Sequence, residues 1–200
     1  MPVVSYQGAV RVLQPVIVPI FDALQEGLDR ATEMHARSGI RRETDRLFFL
    51  YSARRFAYER LAALGLAQTA DDGDRSVLGL SGLLLLHDGL MVRVLRPDVD
   101  ATGRGLVPLP GHSEAKRAFY RQEPLPGLVS TDNVVLSWLD KQGAVEDPMI
   151  LARPVGGDFR RDSLLLSWQG PLSRDMARLR AKDLDELQPE VESRMLDDLG

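Results

Sequence analysis

Two hundred residues carry a formal net charge of −4, with 44% hydrophobic and 27% charged side chains and no cysteine. That is enough chain for one large domain, or for a domain with an appended helical unit. The missing cysteine excludes disulfides, thiolate catalysis and cysteine-ligated zinc. The negative balance disfavours a general nucleic-acid coat but leaves room for a local basic face.

The opening segment, "MPVVSYQGAVRVLQPVIVPIFDAL", is apolar but interrupted by Arg11, Pro15 and Pro19. It has no basic start and no continuous apolar run, so the expectation is no signal peptide. No window approaches the roughly 18 unbroken apolar residues of a membrane span. A cytoplasmic location is the expectation.

The periodicity predicts a helix over 16–37. Ile17, Ile20, Phe21, Leu24, Leu28 and Ala31 recur at steps of three and four, which places them on one stripe. Pro15 or Pro19 falls in its first turn, where a missing N–H is harmless. "SGI" at 38–40 supplies the stop. A second helix is expected over 43–64, with Leu47, Leu50, Tyr51, Arg54, Tyr58 and Leu61 as its stripe, widened by Phe48, Phe49, Phe56 and Ala57, and Gly65 as its end. Together they form an antiparallel helical hairpin over 1–67, followed by a polar linker over 68–79.

From residue 80 the period shifts towards two. "GLLLLHDGLMVRVLRP" places two apolar runs around Asp88-Gly89, a strong hairpin signal. Further strands are expected over 133–139, 148–153 and 163–169, with turns near Lys141–Gly143 and at "GGDFRRD". Five strands in succession over 80–170 read as an antiparallel meander. One short helix, starting near Ser113, is inserted into it. Residues 171–200 read as a helical, acidic tail that Pro189 divides in two. In its last sixteen residues Asp185, Glu186, Glu190, Glu192, Asp197 and Asp198 stand against Arg194 alone. The expected class is therefore α+β.

Few chemistries have the residues they need. His35, His87 and His112 lie far apart, and no Walker A, G-x-G-x-x-G or G-x-S-x-G pattern is present in a suitable context. No cofactor is expected. Asp98, Glu114 and Lys116 resemble the P-D…(D/E)-x-K pattern of a nuclease superfamily, in which two carboxylates hold a divalent ion and a lysine steadies water. "SEAKRAFYRQ" reads as a helix, however, where that family uses a strand.

The candidate binding residues are Arg93, Arg96, Lys116, Arg117, Tyr120 and Arg121, crowded between residue 93 and residue 121 of a net-acidic chain. They are expected to share one exposed basic face, with Phe119 turned towards the sheet. Arginine with interleaved tyrosine suits carboxylates, phosphates or stacked bases. The leading expectation is a non-catalytic interaction protein of the bacterial cytosol, antitoxin-like or regulatory, that binds a protein with an acidic surface. A nucleic-acid-binding factor and a metal-dependent nuclease follow. The sequence does not specify an oligomeric state.

Overall fold

The computed structural model describes residues 3–67, 83–99, 105–123, 132–161 and 163–192, with the backbone alone at 98–99, 105–106 and 192. The expected linker over 68–79 and the end of the acidic tail lie outside these residues. The architecture is mixed α+β, with helices packed on a mostly antiparallel sheet.

The chain starts with a helix that the proline pattern conceals. Helix α1 spans Tyr6–Leu13, capped by the Ser5 hydroxyl, which accepts the Gly8 N–H. Tyr6, Ala9, Val10 and Leu13 form its buried stripe. A 3-10 turn over Gln14–Val16 takes up Pro15 and leads into α2, Ile17–Ser38, which Gly39 ends in a left-handed conformation (φ 68°). Helix α3, Arg46–Ala63, is capped by Asp45, whose carboxylate accepts the Phe48 N–H.

Helices α2 and α3 form the expected hairpin, but α3 buries only the Phe49, Ala57 and Leu61 edge of its expected stripe, with Ser52 and Ala53, and leaves Leu47 and Tyr51 outside. The cause is Gly27 on α2, where a Cβ would come within 2.3 Å of the Ala53 carbonyl oxygen and 3.1 Å of the Ala57 Cβ. A small-residue face lets the helices approach closely and leaves several of the larger apolar side chains of α3 outside.

Strands β1 (Leu83–His87) and β2 (Leu90–Leu95) form the expected hairpin. Asp88 (φ 43°) and Gly89 (φ 82°) adopt the left-handed pair that a two-residue turn requires. The short pair β3 (Asp98–Val99) and β4 (Gly105–Leu106) follows, then helix α4, Glu114–Tyr120, and strand β5, Asp132–Ser137. A second tight hairpin joins β6 (Asp140–Lys141) to β7 (Ala144–Val145) and hangs from α2 through Gln25. The Gln25 amide donates to the Gly143 carbonyl (3.0 Å) and accepts the Val145 N–H (2.9 Å). Strands β8 (Met149–Gly156) and β9 (Leu165–Leu172) come next, then a 3-10 turn over Arg174–Arg178, helix α5 (Ala181–Asp185) and strand β10 (Val191–Glu192).

The sheet order is β1-β2-β5-β8-β9-β10. Neighbours in sequence are neighbours in space, as expected, yet the sheet is not a simple meander. Strand β2 pairs with β5 in parallel, with Val92 opposite Val134 and Arg93 opposite Val135. A parallel pair needs a crossover, and the segment containing α4 makes it. The C-terminal part combines two short helical turns with an edge strand on β9 rather than being wholly helical.

Alternation divides the strands between two cores. Leu90, Val92, Val94, Val134, Leu136, Leu151 and Trp168 join α1, α2 and α3 in one continuous cluster, so the helical hairpin and the sheet share a core. Trp138 and Trp168 are both buried in it. On the opposite face, Met91 and Val135 pack with Phe119 and Tyr120 of α4 in a second, smaller cluster.

Candidate functional site

The crossover helix carries three of the six candidate binding residues, Lys116, Arg117 and Tyr120, and Arg121 caps its end. A set of amide hydrogen bonds holds it to the sheet where β5 and β8 diverge. Gln122, just past α4 at φ 61°, donates to the carbonyls of Asn133 (2.8 Å) and Pro154 (2.7 Å). Its side-chain oxygen accepts the Asn133 N–H (2.8 Å), and the buried Asn133 amide donates to the Phe119 carbonyl (3.0 Å). The position of α4 is thus fixed by polar groups at one end and by Phe119 at its centre.

The six residues do not form one exposed face. Tyr120 is a correction: it is fully buried against Phe119 and Phe159, and its hydroxyl donates to the Pro108 carbonyl (2.5 Å). The helix buries Phe119 and Tyr120 together because it lies flat on the sheet and does not merely shield an edge. Arg93 is also buried, at 9% exposure, since position 93 of β2 points under α4. Arg96 is committed internally. Its Nη1 donates to Asp140 at 2.7 Å, and Arg42 donates to the same carboxylate. Arg121 pairs with Glu114 (3.1 Å) and Glu123 (3.5 Å). Lys116 and Arg117 remain half-exposed, with Arg117 Nε donating to the Gly111 carbonyl (2.9 Å).

The Asp140 cluster is one that the sequence does not announce. Burial disfavours its charge, but hydrogen bonds from Arg42 and Arg96 outweigh that and hold the carboxyl below the ordinary aspartate range. Arg42 also lies 4.4 Å over the Phe49 ring, so the cluster ties the α2–α3 connection to the ends of β2 and β5. Asp132 serves a similar purpose at the other end of β5. It accepts from Nε (2.9 Å) and Nη2 (2.7 Å) of Arg153 and from the Val4 N–H (3.2 Å).

A different surface stands out on α3. Leu47 is 79% exposed, and Phe48, Tyr51 and Ile40 are exposed beside it. Leu47 and Tyr51 follow one another at helical spacing on this outward side, and Arg54 and Tyr58 continue the row half-buried, Tyr58 against the core. Phe48 also covers His35, with ring centroids 5.2 Å apart. Arg37, Arg41, Glu43 and Arg46, in the chain leading up to and into the start of α3, are exposed as well, with Arg37 paired to Glu33. Among the described residues, neither Arg41 nor Arg46 pairs with a carboxylate. Of the acids on this part of the chain, Asp45 caps α3 and Glu59 pairs with Arg30 (3.3 Å) and Arg55 (3.2 Å), while Glu43 is exposed between Arg41 and Arg46 in sequence. The sequence signal was the apolar residues on every side of α3, which one buried stripe cannot absorb.

Arg54 links this surface to α4. Burial lowers its pKa, and its charge in turn acts on Lys116. The lysine is held below its ordinary range by burial first, then by Arg93 and Arg54. Arg54 of α3 and Lys116 of α4 thus bear on each other electrostatically.

The nuclease-like trio falls only partly within the described residues. Glu114 lies at the start of a helix, paired with Arg121, while the Asp98 side chain and its distance from Glu114 lie outside the described residues. Among the described residues, no group of three histidine or acidic side chains is placed to hold a metal ion. No described helix is long and apolar enough to cross a membrane. Comparison with known proteins finds no matching family model, no similar curated protein and no similar solved structure.

Proposed function

We propose that this chain is a non-catalytic binding protein that recognises the acidic surface of another protein through the outward side of α3. The observation that carries this reading is the exposed row of Leu47, Phe48 and Tyr51, flanked by arginines without acidic partners among the described residues. Apolar area of this kind on a helix supplies the driving force for docking. Arg41 and Arg46 supply charge complementarity, so the fitting occupant is an amphipathic segment with acidic flanks. Lys116 and Arg117 on α4 extend the same positive potential. Of the six residues between 93 and 121, these two are the ones we retain as direct contacts, while Arg96, Tyr120 and Arg121 hold the scaffold. A regulatory or antitoxin-like partner in the bacterial cytosol is the setting we propose.

The experiment compares capture by the wild-type chain with capture by Leu47→Asp and by Arg46→Glu, from an extract of the native host. Both substitutions lie at exposed positions, so melting temperatures should stay unchanged. An acidic protein retained by the wild type and lost from both variants, with retention falling as salt rises, supports the reading. Equal retention by all three forms would sink it, and a second copy of this chain as the retained species would replace it with self-association.

A further inference from the structure

An arginine stands at the middle of an apolar sheet face. Arg93 is flanked along β2 by Met91 and Leu95 and lies opposite Leu84 on β1 and Val135 on β5. Phe119 covers it from α4, its ring centre 5.0 Å from the guanidinium carbon. The side chain is 9% exposed, and its Nη1 is buried without a hydrogen-bond partner. Burial lowers its pKa, which the Tyr120 hydroxyl group only partly offsets.

A buried cation without a counter-ion is costly, and alternation offers no packing reason for one at this position. An aliphatic side chain would match its neighbours. The second charge is Lys116, one helical turn before Phe119 and Tyr120 and so on the α4 side that meets the sheet. Instead of neutralising Arg93, it adds like charge, and Arg54 adds more. Among the described residues no carboxylate pairs with Arg93 or Lys116. Glu114 is turned to Arg121 and Asp140 to Arg42 and Arg96.

From this we infer that Arg93 and Lys116, between β2 and α4, form a binding site for a dianionic oxyanion, such as a phosphoryl group. Two adjacent cations call for two negative charges, which a phosphate monoester carries near neutral pH and a carboxylate does not. The planar guanidinium offers paired N–H donors to neighbouring oxygens, and the ammonium adds a point charge. The Phe119 ring backs the guanidinium, 5.0 Å from its carbon. The site shares Lys116 with the docking surface proposed above but uses none of the apolar side chains of α3.

The test measures melting temperature as inorganic phosphate replaces chloride at constant ionic strength. A ligand that binds the folded state alone raises stability in a saturable way. The wild type should gain several degrees, with saturation. Arg93→Met and Lys116→Met should bind phosphate at least ~10-fold more weakly. Without phosphate, Arg93→Met should melt no lower than the wild type, because it removes a cation lacking a partner. Leu47→Asp should respond like the wild type, which separates failure of this site from failure of the α3 reading. No response in the wild type, the same response in Arg93→Met, or an equal response to acetate would overturn the inference. N-acetyl-phosphoserine amide identifies the source: tighter binding than inorganic phosphate places the group on a phosphorylated protein, and weaker binding places it on a free small molecule.

Discussion

Replacing Asp140 with alanine tests the joint between the helical hairpin and the sheet. The carboxylate is 2% exposed and accepts hydrogen bonds from Arg42 and Arg96. Hydrogen bonds to a charged group contribute about 1.5–3 kcal/mol each. The stranded guanidiniums, 34% and 23% exposed, can turn to water and recover part of this. A loss of roughly 2–4 kcal/mol at pH 7 is therefore expected. For a chain of this size that lowers the melting temperature by roughly 4–16 °C. Urea unfolding is the assay, followed by tryptophan fluorescence, since Trp138 and Trp168 are both buried. The pH dependence supplies the sharper check. The folded carboxyl is held below its ordinary value, so its contribution is complete above the unfolded pKa of about 3.9 and is lost as pH falls through the folded one. The gap between wild type and variant should stay constant from about pH 7 to 5 and narrow below about 4. A gap that persists undiminished at about pH 2, or one below about 0.5 kcal/mol at neutral pH, would refute the argument.

Other substitutions examine the packing. Trp138→Ala and Trp168→Ala should each cost about 3–5 kcal/mol in urea unfolding; a cost below about 1 kcal/mol would mean that the core described here is wrong. Gly27→Ala should destabilise by about 1–3 kcal/mol despite the better helix former, because its Cβ would meet the Ala53 carbonyl at 2.3 Å. A stabilised variant would show that α2 and α3 are further apart. The Tyr6 hydroxyl, pushed up to about 12 by burial and by Glu190, should remain un-ionised in an ultraviolet titration until well above pH 10. A folded pKa raised in this way contributes stability that is present below the unfolded value of about 10 and lost as pH rises towards 12. Tyr6→Phe should abolish that part of the alkaline slope, and an unchanged slope would assign it elsewhere.

Elements whose period and punctuation agree were legible in the sequence. Helices α2 and α3 and the Asp88-Gly89 hairpin stand close to where their patterns place them. Helix α1 was hidden because Pro15 and Pro19 draw attention to a later start, although Ser5, Tyr6, Ala9, Val10 and Leu13 already carry a cap and a stripe. The parallel pairing of β2 and β5 follows from a connection too long for a hairpin, and strand patterns taken one at a time do not reveal it. The inward side of α3 depended on a glycine in another helix. The six candidate residues divided for a similar reason. "LMVRVL" could have placed Arg93 under cover by alternation, whereas the burial of Tyr120 depends on the way α4 lies across the sheet. Asp140 carries no signal at all in one dimension, since its partners are Arg42 and Arg96, one of them 98 residues away.

Site-specific photocrosslinking in the native host tests the binding role of α3 most directly. A photoreactive residue placed at Leu47 is compared with one at Arg161, which is 86% exposed on the β8–β9 turn. The account predicts an adduct with an acidic protein from position 47 that weakens as salt is raised, and none from position 161. Equal labelling from both positions, or no adduct from position 47 while the protein remains folded, would contradict it.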